Sequence, residues 1–94
     1  MVPIKKVLSE IEKLAKTMLT WPEDDRISLY KKLDPHLLRL EEQFTRSANT
    51  RAMETLSELK LHLIMLARLY EPDEHTDEQH YGSAVNAMER LSAL

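Results

Sequence analysis

The residues best suited to chemistry in this chain lie between positions 73 and 80, where four carboxylates and two histidines occur within eight residues. Asp77 and His80 have the i, i+3 spacing that places two metal ligands on one face of a helix. Metal sites inside helical bundles, however, need matching carboxylate and Glu-x-x-His ligands from facing helices, and the remaining sequence lacks that motif. We interpret the segment as the solvated acidic start of a helix, and we predict no bound metal and no cofactor.

His62 is a second candidate, because it lies in the most apolar stretch of the chain, where a histidine can act as a base. The chain has no cysteine, and no pairing of a serine with an acid around His62 can be read from the spacing. A nucleophile, a base and an orienting group therefore cannot be assembled. We interpret His62 as a packed, hydrogen-bonded side chain or an interface contact, and we predict that the protein is not an enzyme.

A short basic stripe offers a different chemistry, contact with phosphates. Its members recur every seven residues along one predicted helix, with one more basic residue beyond the helix end: Lys32, Arg39, Arg46 and Arg51. Glu41 and Glu42 lie near the stripe, and the sequence has neither a helix-turn-helix glycine nor aromatic residues interleaved for stacking on bases. A nucleic-acid-associated regulator is therefore the alternative function, and a solvated face with ion pairs is the simpler interpretation.

The strongest indication of function in the sequence is an excess of apolar residues on one predicted helix. Between positions 56 and 70, one helical face is formed by leucines and Tyr70, and the opposite face is also apolar. A helix that is apolar all round must be covered on several sides. Tryptophan is, in addition, a frequent interface anchor. We therefore predict a partner-binding surface with five members: Trp21, Leu61, Ile64, Met65 and Leu69.

The elements that must position these residues are helices. One glycine, four prolines and few aromatic or β-branched residues leave little material for turns and strands. The apolar spacing predicts an all-α protein, an antiparallel four-helix up-and-down bundle that forms a single domain over residues 1–94. The formal charge of −3 argues against a general nucleic-acid binder.

Local signals give the helix boundaries. The first helix is expected over residues 3–19, and a capping box at Thr20 is expected to start the second. That helix keeps one apolar seam, from Ile27 to Phe44, across Pro35, so we expect it to be kinked or broken there. The third helix is expected from an Asn49 or Ser47 cap to Tyr70, and the fourth from a capping box at Thr76.

Together these features predict a cytoplasmic, regulatory protein-protein interaction module. It would act as an adaptor, inhibitor or anti-activator through an apolar helix face. Its expected partner is another protein, with homodimerisation favoured because four short helices give limited cover to the third. A structural subunit of a larger complex is a further alternative. No membrane association is expected, since the longest apolar run has five residues.

The helix start at residues 21–26, followed by Leu29 and Leu33, resembles those of small bacterial antitoxin-type proteins. That resemblance extends over about a seventh of the chain and assigns no role to any residue. We expect a protein encoded by a bacterium, a plasmid or a phage.

Overall fold

The chain folds into four α-helices in a computed structural model that describes residues 3–93. The helices are α1 (Ile4–Met18), α2 (Arg26–Arg46), α3 (Thr50–Leu66) and α4 (Asp77–Ser92), and a 3₁₀ turn at Glu23–Asp25 precedes α2. No strand occurs within the described range. The prediction of an all-α protein with four helices is confirmed.

The four helices bury a shared core of leucine, isoleucine and methionine side chains. Its largest fully buried members come from every helix: Ile11, Met18, Leu33, Leu37, Leu40, Leu59, Leu63, Leu66 and Leu91. α3 packs most extensively against α4, α2 packs against both α1 and α3, and α1 also touches α4. Within residues 3–93, no helix has the length and apolar character needed to cross a bilayer.

The two connections that precede α2 and α4 meet at one end of the four packed helices, which we name the loop end. It consists of residues 19–25 and 67–76. The Arg68 guanidinium joins these connections, because its Nη2 lies 3.3 Å from Glu23 Oε1 and 2.9 Å from Asp77 Oδ1. The ion pairs hold the two connections together where the helices themselves have ended.

Arg26 is the buried charge at the centre of this end, with only 5% of its surface exposed. Its Nε donates to the carbonyl of Trp21 at 3.1 Å, and its Nη1 donates to the carbonyl of Leu66 at 3.0 Å and to Asp77 Oδ2 at 2.8 Å. One guanidinium thus binds the α1–α2 connection, the last turn of α3 and the first turn of α4. It also satisfies a carbonyl that the end of α3 leaves without a helical partner.

The start of α2 differs from the sequence prediction. Thr20 forms no capping box, since its hydroxyl donates to the carbonyl of Thr17, and the helix begins only at Arg26. The first turn buries Arg26 and Leu29, which leaves Ile27 41% exposed. The predicted apolar seam was therefore wrong in the first turn of α2, because the ion pair between Arg26 and Asp77 decides which face of the helix turns inward.

α2 runs through Pro35 as one helix, so the expected alternative of two abutting helices is not what forms. Pro35 lacks the N–H that would bond the carbonyl of Lys31. Both residues are exposed, so the lost bond falls on the solvent-facing side of α2. Water can bond a carbonyl there, and the inward seam from Leu33 to Phe44 continues without interruption.

α3 ends at Leu66, four residues before the expected Tyr70. Arg68 has a left-handed backbone, with φ 62°, its N–H donates to the carbonyl of Met65, and the N–H of Leu69 donates to that of Ile64. This is the Schellman pattern that closes helices, usually on glycine. The sequence prediction was wrong because no glycine marks the position, and the ion pairs of Arg68 hold the backbone there instead.

The two other caps agree with the sequence. Asn49 accepts from the N–H of Ala52 at 3.0 Å, and Thr76 forms both hydrogen bonds of a capping box with Gln79. α2 also closes with a Schellman pattern, in which Ala48 has φ 53° and Asn49 donates to the carbonyl of Phe44. Unlike Arg68, Ala48 has no side-chain interaction that offsets the cost of this conformation.

Replacement of Ala48 by glycine is expected to raise the free energy of unfolding by about 0.5–1 kcal/mol, because glycine has no Cβ to clash at positive φ. Urea denaturation followed by circular dichroism measures the change. The matched control is Ser83→Gly at an exposed site inside α4, which should destabilise by about 0.5 kcal/mol. A loss of stability in Ala48→Gly as large as in the control would contradict the assignment of backbone strain to Ala48.

Replacement of Arg26 by alanine is expected to lower the free energy of unfolding by about 3 kcal/mol, because one oxygen of Asp77 and the Leu66 carbonyl lose a buried donor. Arg90→Ala, which removes the exposed ion pair with Glu58, should cost only about 0.5 kcal/mol. A double-mutant cycle between Arg26→Ala and Asp77→Asn should give a coupling of about 1 kcal/mol or more. Equal losses in Arg26→Ala and Arg90→Ala would contradict the central role of Arg26.

Candidate functional site

Three histidines and one aspartate gather where α3, α4 and their connection meet, and we name them the histidine cluster: His62, Asp73, His75 and His80. His62 comes from α3 and is half-buried, whereas His80 comes from the first turns of α4 and is 4% exposed. Asp73 and His75 lie on the exposed connection between the two helices. The Thr76 capping box fixes where α4 begins and therefore where His80 is presented.

Asp73 is the centre of the cluster. Its Oδ1 accepts from the backbone N–H of His75 at 2.9 Å and lies 2.9 Å from His80 Nε2, and its Oδ2 lies 3.3 Å from His75 Nδ1. The hydrogen bond with His80, followed by that from the His75 backbone, lowers the pKa of Asp73 to about 2. The carboxylate is therefore charged throughout the neutral range and directs both oxygens at imidazole nitrogens.

His80 also contacts His62 on its other side. Their Nδ1 atoms are 3.1 Å apart, so one of them carries a proton and the other accepts it. Burial, and next the neighbouring His80, lower the pKa of His62. Both ring nitrogens of His80 are thereby engaged, one by Asp73 and one by His62, which fixes the orientation of the buried ring.

This arrangement offers imidazole and carboxylate ligands. Within residues 3–93, no hydroxyl side chain hydrogen bonds to a histidine of the cluster. The cluster opens onto a groove of about 610 Å³, lined by Glu58 of α3 and by Ser83 and Arg90 of α4. Asp77, which the i, i+3 spacing had paired with His80, instead faces Arg26 and Arg68. The sequence indicated residues 73–80 as a segment rich in possible metal ligands, but it did not predict that Asp73 pairs with His80. The two residues meet only because of the path that the α3–α4 connection takes.

The residues predicted to bind a partner differ in exposure. Trp21 and Leu69 lie at the loop end and are 38% and 39% exposed, and Leu61 is 48% exposed on α3. Ile64 is half-buried, and Met65 is 6% exposed and therefore belongs to the protein interior. The prediction that the third helix is apolar all round fails at its end, because Leu69 lies beyond the helix.

Tyr70 was expected on the buried seam of the third helix, and this was wrong. It is 59% exposed, the most exposed of the large apolar side chains in residues 3–93. Burial, then Asp34 and Tyr70, raise the pKa of Tyr30. Tyr70 lies on the α3–α4 connection, which forms the loop end together with the α1–α2 connection that carries Trp21. The sequence has no feature that marks the end of α3 at Leu66, so the prediction extended the helix to Tyr70.

The basic stripe is exposed along its whole length, with three members on α2 and one in the first turn of α3: Lys32, Arg39, Arg46 and Arg51. In the part of the chain that the structure describes, none of the four forms an ion pair. Glu41, which lies near the stripe in sequence, pairs instead with Lys60 at 3.7 Å. The four residues are thus exposed cations that form no ion pair within the described part of the chain.

Comparisons with protein-family models, with curated proteins and with solved structures give no match for this chain.

Proposed function

We propose that this protein is a small helical interaction module whose loop end binds a basic, amphipathic segment of another protein. In this role it acts as an adaptor, inhibitor or anti-activator, and we place it in the cytoplasm. The observation that carries the proposal is the exposure of three large side chains on the two connections that meet there: Trp21, Leu69 and Tyr70.

These three side chains, which we name the apolar patch, have the character of interface anchors. Tryptophan and tyrosine are enriched among residues whose truncation weakens binding strongly. The patch is also held in place before any partner arrives, because Arg26 binds the Trp21 carbonyl and Arg68 pairs with Glu23. Preorganised anchors lose less conformational freedom on binding, and this favours affinity.

The charge around the patch indicates the kind of partner. The same two connections and the first turn of α4 carry eight carboxylates: Glu23, Asp24, Asp25, Glu71, Asp73, Glu74, Asp77 and Glu78. The only Lys or Arg residue on the connections is Arg68, which already pairs with Glu23 and Asp77. Complementary potentials steer association and like charges oppose it. The loop end therefore suits a basic segment better than a second, equally acidic copy of itself.

We also propose that the helices follow the antiparallel up-and-down order. Short connections between consecutive helices favour this order. The meeting of the α1–α2 and α3–α4 connections at one end supports it, because an up-and-down bundle brings alternate connections together.

Trp21 is the single tryptophan of the chain, so its fluorescence reports binding at the patch. Titration with a cationic amphipathic peptide of leucine and lysine should give a saturable blue shift. A peptide with the same leucines and with glutamate for lysine should bind at least about tenfold more weakly, a difference of about 1.4 kcal/mol. Equal binding of the two peptides, or no shift with either, would contradict the proposal.

Variants locate the surface. Tyr70→Ser should weaken binding of the basic peptide about tenfold or more, because it removes an anchor of the patch. Leu38→Ser is the matched control, since Leu38 is 52% exposed on α2 and outside the patch. Sedimentation of the protein alone tests the homodimer. A dimer that Tyr70→Ser dissociates would assign the apolar patch to a second copy and would overturn the basic partner, whereas a dimer that only Leu61→Asp dissociates would place the dimer interface on α3, outside the patch.

The second candidate function is contact with nucleic acid through the basic stripe, favoured by the four exposed and unpaired cations. Binding to a labelled duplex or single strand should then fall steeply with salt, and Arg39→Ala with Arg46→Ala should reduce the slope of log K against log salt by about 2. Lys5→Ala with Lys6→Ala, on α1, is the control pair. Absence of binding at low salt would remove this candidate.

A further inference from the structure

We propose that the histidine cluster is a binding site for one divalent transition-metal ion, with Zn²⁺ as the expected occupant and Asp73, His75 and His80 as its protein ligands. This goes beyond the proposed interaction at the loop end and does not depend on it. The ligand atoms of the three residues all lie within 4.8 Å of one another.

The spacing of the ligand atoms is close to that of a coordination shell. Zinc bonds of about 2.0–2.2 Å to nitrogen and oxygen place tetrahedral ligands about 3.3–3.5 Å apart. Asp73 Oδ1 lies 2.9 Å from His80 Nε2, and Asp73 Oδ2 lies 3.3 Å from His75 Nδ1. Small movements of the exposed connection that carries Asp73 and His75 bring the three ligands around an ion. A set of three protein ligands leaves the fourth position to water.

The chemistry of the donor set fits a transition metal. Imidazole suits zinc, copper, iron and nickel, whereas calcium and magnesium require oxygen ligands. A metal-bound imidazole nitrogen carries no proton, so the protons that His80 Nε2 and His75 Nδ1 share with Asp73 move to the other ring nitrogens or to solvent when the ion binds. His80 then carries its proton on Nδ1, and His62 accepts it at Nδ1 with its own proton on Nε2. Asp73 binds as a carboxylate.

His62 completes the site as a positioning residue. Metal-bound histidines almost always donate their second ring N–H to a neighbouring acceptor, which fixes the tautomer and the ring orientation. His80 Nδ1 lies 3.1 Å from His62 Nδ1, the geometry that this donation needs. The His80 ring is buried, so its Nε2 faces Asp73 in a fixed direction. Asp73 and His75 are exposed, so an ion can reach the site from solvent.

The test uses untagged protein, because a histidine tag would bind the probe, with EDTA removed before titration. Isothermal titration with Zn²⁺ should show one ion per chain, and saturating Zn²⁺ should raise the thermal midpoint by about 5 °C or more. His75→Ala and Asp73→Asn should each weaken Zn²⁺ binding at least about tenfold. Glu78→Gln, an exposed acid in the first turn of α4, is the matched control and should bind as the wild type does.

The positioning role of His62 has its own readout. His62→Phe should weaken Zn²⁺ binding about tenfold while Co²⁺ still gives the visible absorption of a site with nitrogen and oxygen ligands. Imidazole ¹⁵N spectra of the loaded protein should show His80 metal-bound at Nε2 and protonated at Nδ1. Circular dichroism and melting of every variant in EDTA establish that it is folded.

Two results would overturn the site. One is the absence of Zn²⁺ binding to the folded wild-type protein at about 1 mM free ion, a concentration that corresponds to only about 4 kcal/mol of binding free energy. The other is unchanged binding in both His75→Ala and Asp73→Asn, which would place the ion elsewhere. Failure of the peptide titration at the loop end would leave the metal site intact, since the two experiments use different ligands and variants.

Discussion

The buried ion pair between Arg26 and Asp77 is the interaction on which the loop end depends. A guanidinium removed from water is costly unless it is paired and hydrogen-bonded, and Arg26 donates from Nε and Nη1 to two carbonyls and a carboxylate from three different parts of the chain. The pair therefore specifies geometry more strongly than apolar packing does, because leucines tolerate sliding whereas a buried charge does not. It determines which side of α2 turns inward, and Asp77 also pairs with Arg68, whose left-handed backbone closes α3.

This constraint propagates to the functional surfaces. Because α3 ends at Leu66, residues 67–76 form a connection instead of another helical turn. That connection carries Leu69 and Tyr70 outward and brings Asp73 back to His80. The apolar patch and the histidine cluster thus share one structural origin, although they offer different chemistry. A longer third helix would have carried Tyr70 along its own axis and kept Asp73 away from the start of α4.

The fold also shows how chain reversal is achieved almost without glycine. The chain has one glycine, Gly82, and it lies inside α4, where a Cβ would meet nothing within 4 Å. Both Schellman closures instead use residues with a side chain, Ala48 and Arg68. At Arg68 the ion pairs with Glu23 and Asp77 offset the strain of positive φ, whereas at Ala48 no such compensation exists. The same local geometry is therefore compensated by ion pairs at Arg68 and left strained at Ala48.

The sequence by itself determined the helical class, the number of helices and most of their inward seams, because these follow from spacing that every helix must satisfy. The exceptions are the first turn of α2, where Ile27 is exposed, and Tyr70, which lies beyond α3. It also determined the caps at Asn49 and Thr76, which are local hydrogen bonds between near neighbours. The tertiary structure alone decided the end of α3, the burial of Arg26 and the pairing of Asp73 with His80. Those features rest on contacts between residues distant in sequence or on a connection without periodicity, and neither leaves a repeating pattern to read.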